Sequence, residues 1–218
     1  MGYRNVKGII TYASIAVNNA IKSNSLKTEI DYRKKIQKEL EQLNNKLLYI
    51  SENDSLTGIP NRRKFDKVMN IQWDLAKKNK YNLSLILLDV DCFKQYNDNY
   101  GHVQGDKCLS LIGSALSNYI DKKYIAARYG GDEFVIIFPK VSLGEVLNLG
   151  EKFRKQIEYL NLKHEFSNIK NIVTITLGAA SVIPNENITI NEFIRQADTA
   201  LYLAKERGRN QIAGYILK

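Results

Sequence analysis

Two adjacent glycines followed by two acids form the stretch of this chain whose residue types best suit chemistry. Gly130 and Gly131, in Arg128-Tyr-Gly-Gly-Asp-Glu-Phe-Val-Ile-Ile-Phe138, can adopt positive φ and suit the tip of a tight hairpin. They also remove the side chains that would keep a bulky ligand off the backbone. Asp132 and Glu133 follow at once, at the mouth of an apolar run that reads as a buried strand. Carboxylates in such a place are costly unless a cation or hydrogen-bond donors meet them. A second acid pair, Asp89 and Asp91, closes the apolar run that begins at Leu83. Residues i and i+2 of a strand share a face, so both carboxylates are expected on one side. If this strand neighbours the hairpin, Asp89 faces Asp132. With a backbone carbonyl, these acids make a hard oxygen site of the kind Mg2+ or Mn2+ takes. Such an ion bridges phosphate oxygens and lowers the pKa of an attacking hydroxyl. The plainer reading is an ordinary hairpin and two strand-end turn formers.

Residues able to hold a nucleotide stand nearby and at the C-terminus. Lys94 offers a compact ammonium next to the acids. Asn97 and Asp106 have the chemistry to read a purine edge. An amide supplies donor and acceptor, and a carboxylate accepts the paired N1–H and N2–H of guanine, which adenine lacks. Alternatively Asn97 sits in a turn and Asp106 caps the helix after Gly105. Lys205 and Arg209 are four apart and would share a helix face around Gly208, where they could grip a triphosphate. Cations favoured at a helix C-terminus explain that pair equally simply. His102 has no evident catalytic partner among its neighbours.

The elements that must position these groups follow from periodicity and breakers. Residues 3–25 are apolar at helical spacing, through Ile9, Ile10, Tyr12, Ala13, Ile15, Ala16, Val17, Ala20 and Ile21. They are either the last helix of a truncated upstream domain, weakly similar to the closing helix of a GAF-type sensory domain, or an amphipathic N-terminal helix. Residues 26–53 lack Gly and Pro, and Ile36, Leu40, Leu43, Leu47 and Ile50 follow spacings of four and three. That is an a/d seam, short for a coiled coil, which would set two copies of the next domain side by side. The alternative is a helix packed on its own domain.

Residues 54–218 form the second domain. Breakers in Asp54-Ser-Leu-Thr-Gly-Ile-Pro-Asn-Arg-Arg63 stop the linker, and Asn61 can cap a helix to about Lys80. Strands are expected at 83–89, 124–128, 134–138, 172–182 and 211–216, and helices at 104–122, 142–160 and 189–207. This order suits an α/β (α+β) domain: a mixed central sheet flanked by helices, with a ferredoxin-like core, preceded by a long N-terminal helix.

At 218 residues the chain can bury a full core, and no apolar run approaches the roughly 20 residues that span a bilayer. Cys92 and Cys108 are too few for a disulfide framework or zinc site and fit a reducing cytosol, so a cytoplasmic location is expected. The net charge of +9 comes without an Arg-rich arm or aromatic-basic alternation, which argues against nucleic acid.

Together these segments resemble the GGDEF family of diguanylate cyclases. The likeness rests on Asp54–Arg63, Leu88-Asp-Val-Asp-Cys-Phe-Lys94, Asn97–His102, Gly105-Asp106, Arg128–Phe138, Ala200–Lys205 and Gly208-Arg-Asn210, in order over about residues 50–218. The resemblance implies a palm-type cyclase core and condensation of two GTP into cyclic di-GMP with release of two pyrophosphates. By position, Asp89, the Val90 carbonyl and Asp132 would hold divalent metal, with Asp132 also in the proposed base position and Glu133 supporting the metal. Asn97 and Asp106 would recognise guanine, and Lys94, Lys205 and Arg209 would hold phosphates. Each domain binds one GTP, so a homodimer is implied. The alternative is a catalytically silent GTP-binding module. Many members carry Arg-x-x-Asp upstream of the glycines as an allosteric product site. Asp121-Lys-Lys-Tyr124 stands there instead, so no feedback through that site is expected.

Overall fold

The computed structural model describes residues 3–121 and 123–216, with side chains from residue 14 onward except that of residue 20. It divides into two units, residues 1–51 and 52–218. In the first, a single helix α1 (Tyr3–Glu52) runs without a break through residue 25. At 1.5 Å per residue it is about 75 Å long. The expected seam residues are exposed along it, Leu40 by 64%, Leu47 by 58% and Ile50 by 64%. The expected apolar contributions of Ile9, Ile10, Tyr12, Ala13 and Ala20 lie outside the described side chains.

Among the described residues, the second unit holds five strands and five helices. In chain order they are α2 (Arg62–Asn79), β1 (Leu83–Val90), α3 (Phe93–Tyr100), α4 (His102–Tyr119), β2 (Ile125–Gly130), β3 (Glu133–Pro139), α5 (Leu143–Tyr159), β4 (Ile175–Val182), α6 (Ile190–Glu206) and β5 (Ile212–Gly214). The sheet order is β2-β3-β1-β4-β5. Pairing is antiparallel except between β4 and β5, so the sheet is mixed as expected.

Alternation along the central strands divides the core. Ile86, Leu88, Ile136 and Leu177 meet α3, α4 and α5 through Phe93, Cys108, Ile112 and Phe153. Leu83, Leu85, Leu87, Val135 and Ile137 meet α2 and α6 through Phe65, Trp73, Phe193 and Ala197. Both faces being covered, β1 reads as a continuous apolar run rather than an alternating one. Cys108 is a packing residue, its thiol pushed up to about 12 by burial.

Helix starts obey local chemistry. Asn61 accepts from the Lys64 N–H, and Ser142 and Thr189 each form a reciprocal capping box with Glu145 and Glu192. Two expectations are corrected. Residues 93–100, given no element in the sequence reading, form α3, ended by Gly101 at φ 81°, and α4 begins directly at His102 rather than at 104. Strand β4 starts at Ile175 rather than 172.

Candidate active site

The hairpin between β2 and β3 turns through Gly131 alone at positive φ, 51°. Its tip is held from behind by Arg128. The Arg128 Nε and Nη2 donate to the Gly131 carbonyl at 2.9 and 2.8 Å, and Nη1 donates to both Asp54 carboxylate oxygens at 3.1 and 3.2 Å. Burial alone would raise the Asp54 carboxyl, but Thr57 and Arg128 outweigh it and hold it below the usual Asp range. This brace was not foreseen. Both residues stand in stretches rich in breakers, yet they are 74 positions apart, and spacing gives no sign that they meet.

Asp89 lies opposite Glu133 in the β1–β3 register. By alternation it points to the face of Leu85 and Leu87, toward α6, where its Oδ2 is 2.8 Å from the Lys205 ammonium. Burial raises the Asp89 carboxyl from 3.8 to about 6; Lys205 opposes the rise, and the Asp132 and Asp91 charges add to it. Val90 is tied to the hairpin by its N–H, which donates to the Asp132 carbonyl at 3.4 Å.

Asp91 continues the pairing one residue past β1: its N–H donates to the Thr174 carbonyl at 2.9 Å, and its carboxyl meets Thr176, the cross-strand partner of Asp89. Strand β1 ends at Val90, and the Cys92 backbone turns to φ 56°. Asp91 is buried, accepting from the Thr174 and Thr176 hydroxyls at 2.7 and 2.6 Å. Lys205 and Arg209 do not share a helix face, because α6 stops at Glu206 and Arg209 lies beyond it at φ 61°.

The purine-reading candidates lie on α3 and α4, which cover the other face of the sheet. Asn97 Oδ1 is buried and has no hydrogen-bond partner among the described residues. It rests over Gly105, where an added Cβ would come within 1.8 Å of it. Asp106 follows on α4 and is exposed, as is Lys94 in the first turn of α3, a helix with no side-chain cap. A buried amide oxygen without a donor is costly, and a ligand N–H would relieve it.

A divalent cation suits this chemistry in part. The half-buried Asp89 already draws a cation to itself, and Asp132 is close enough to oppose its ionisation. Glu133 is exposed and lines a cavity of about 270 Å³ with Tyr129, Arg195 and Asp198. Among the described residues, no three acidic, histidine or cysteine side chains are gathered as a metal site.

In the Asp121–Tyr124 stretch, Lys122 lies outside the described residues. Asp121 pairs with Lys123 at 3.3 Å, and the Tyr124 ring packs on Phe138 at 4.7 Å.

A mixed five-stranded sheet, helices on both faces and an acid-bearing glycine hairpin at a strand end define an α/β domain with its candidate site at that end. The chain belongs to the GGDEF family, matching the diguanylate cyclase GGDEF domain over residues 51–211. It is 38% identical over 159 residues to the diguanylate cyclase VdcA of Vibrio cholerae, covering 73% of this chain and 45% of that protein. To the diguanylate cyclase DosC of Escherichia coli it is 35% identical over 160 residues, covering 73% of this chain and 34% of DosC. The chain thus spans less than half the length of these relatives. Among solved structures, the coiled coil and GGDEF domain of DgcB from Caulobacter crescentus, in complex with c-di-GMP, superposes with a TM-score of 0.77 at 27% identity, covering 87% of this chain and 99% of that one. The match to the family spans most of the second unit and leaves most of α1 outside it. Among the described residues, no helix is long and apolar enough to cross a membrane.

Proposed function

We propose that this chain is an active diguanylate cyclase, in which two copies each bind one GTP and condense them to cyclic di-GMP and two pyrophosphates. The observation that carries the reading is the meeting of Asp89, Lys205 and the Gly130–Gly131 hairpin at the end of β1. Asn97 and Asp106 would receive the guanine edge. The buried Asn97 oxygen would take a donor, and Asp106 would accept the N1–H and N2–H pair. Lys94 and Arg209 would hold phosphates, and Lys205 would exchange its bond to Asp89 for one to a phosphate oxygen. Asp89, Asp132, the Val90 carbonyl and Glu133 would hold Mg2+ or Mn2+, which supplies polarisation of the α-phosphate. Asp132 would accept the proton of the attacking 3′-hydroxyl. Each 3′-hydroxyl attacks the α-phosphate of the other GTP, so both domains must face one another. The exposed seam of Leu40, Leu43, Leu47 and Ile50 would pair two α1 helices and raise the effective concentration of the second domain. An acid at Asp121 and a packed ring at Tyr124 are unsuited to a phosphodiester, so product feedback through that surface is not expected.

The test is a product assay with purified protein, GTP and Mg2+, nucleotides being identified by mass. Cyclic di-GMP and pyrophosphate are expected, and Asp132→Ala should make neither while remaining folded by circular dichroism. GTP binding without product from the parent would favour the silent module.

Guanine selection gives a separate prediction. Asp106→Ser should lower the preference for GTP over ATP about tenfold or more, the worth of a charge-assisted hydrogen-bond pair. Equal selectivity of parent and variant in a competition assay would remove Asp106 from base recognition.

A further inference from the structure

We infer that Asn210, clamped by Asp91, Thr176 and Arg154, is a positioning residue that holds Arg209 in a left-handed backbone conformation and so presents its guanidinium to the triphosphate. The inference rests on the phosphate-binding reading above and adds how the arginine is placed.

After α6 ends at Glu206, three consecutive residues adopt positive φ: Gly208 at 112°, Arg209 at 61° and Asn210 at 48°. Glycine takes such values freely and asparagine tolerates them, but an arginine is strained there. Strain of this kind persists only where the surroundings over-determine it, and it clusters at functional sites.

The surroundings here are specific. The Asn210 N–H donates to the Thr176 hydroxyl at 2.9 Å and to Asp91 Oδ2 at 3.1 Å. Its side chain is fixed at both ends: Oδ1 accepts from Arg154 Nη1 at 2.6 Å, and Nδ2 donates to Glu158 Oε1 at 2.8 Å. Arg154 is itself held by Glu151 through Nε and Nη2, both at 2.8 Å. Its side chain is only 10% exposed. Asp91 is filled by the hydroxyls of Thr174 and Thr176. One residue is thus pinned to the end of β1, to β4 and to α5. The preceding N–H, that of Arg209, donates to the Ala204 carbonyl at 3.2 Å.

The contrast with the Arg209 side chain gives the inference its direction. It is exposed and enters none of the described ion pairs, although its backbone is fixed on both sides. A cation serving only the end of α6 would need no strained backbone three residues past it, and Lys205 already stands in the last turn. A fixed backbone with a free, planar fork of donors suits a bidentate grip on phosphate oxygens. The buried acid Asp91 and the buried Arg154 then have a use beyond packing: they aim the loop between α6 and β5.

The test uses the full chain and 3′-deoxy-GTP with Mg2+, which binds without cyclising, measured by calorimetry in a double-mutant cycle. Arg209→Ala should weaken binding about tenfold, and Asn210→Ala should do so by a similar factor while leaving GMP binding unchanged. In the Arg209→Ala background, Asn210→Ala should add nothing, because it acts through that arginine. Equal losses from Asn210→Ala in both backgrounds would overturn the positioning role and leave Arg209 as a phosphate ligand. No loss from Arg209→Ala would instead overturn the phosphate-binding reading itself. Should Asn210→Ala fail to fold, Arg209→Gly decides the matter. Relief of strain should raise its Tm by about 2–4 °C over Arg209→Ala, and an unchanged or lower Tm would overturn the proposal.

Discussion

Asp89→Asn should give a domain that melts higher than the parent and turns over far more slowly. The fold holds this carboxyl at about 6 against an ordinary 3.8, and burial is the largest cause. At neutral pH the ionised form is therefore penalised by roughly two pK units, or about 3 kcal/mol as an order of magnitude. The side chain is 15% exposed, so solvent relieves little of this, whereas Lys205 is 30% exposed and keeps its access to water. Asparagine preserves the shape and removes the charge. The sign follows from linkage. Because the folded pKa lies above the unfolded one, the penalty is absent below about 3.8 and complete above about 6. The stability gap between variant and parent should accordingly shrink as pH falls from 7 through this window. Turnover should fall by about a hundredfold or more, since even outer partners of a metal ligand commonly matter by 10- to 100-fold. Thermal melts at pH 8 and pH 5, with a product assay at pH 8, check both halves. A gap that does not narrow on acidification would show that the buried charge is not what destabilises the domain.

The second large effect is expected from Gly178→Ala, in the middle of β4. An added Cβ would come within 2.1 Å of the Leu201 nitrogen, 2.3 Å of the Ala197 carbonyl oxygen and 2.5 Å of the Leu201 Cα. These are backbone atoms of α6, so no side-chain rotation relieves the contact, and the helix must move as a body. Overpacking in a core typically costs about 1–3 kcal/mol, and a backbone clash belongs at or beyond the upper end. The movement would carry Lys205 away from Asp89 and disturb the loop that holds Arg209. Urea denaturation should show a midpoint lowered enough to leave much of the protein unfolded, and the folded remainder should bind GTP poorly. A midpoint equal to the parent's would mean that α6 seats on β4 more loosely than the 2.1 Å approach implies.

Much of the fold was legible because its signals are local. The apolar run of β1, the capping asparagine at 61 and the Gly-Gly turn each express a rule that acts within a few residues. The mixed sheet with helices on both faces followed from their order. The helix α3 was hidden because it has only eight residues and ends at a glycine, so it offers too few turns for periodicity to register. What the sequence did not show is that Asp91 is filled by the hydroxyls of Thr174 and Thr176, residues more than 80 positions away. Lys205 and Arg209 were paired by helical spacing that stops at Glu206.

By itself, then, the sequence determined which residues carry charge, where the chain turns and which faces are apolar, since these depend on neighbours in the chain. Only the tertiary structure decided that Lys205 meets Asp89, that Arg128 braces the hairpin from Asp54, and that Asn210 docks on Asp91 across 119 residues. These contacts are set by how two layers of helices close on the sheet. Burial then changes what each group does: a strand-end carboxylate becomes a cation seeker at Asp89 and a structural acceptor at Asp91.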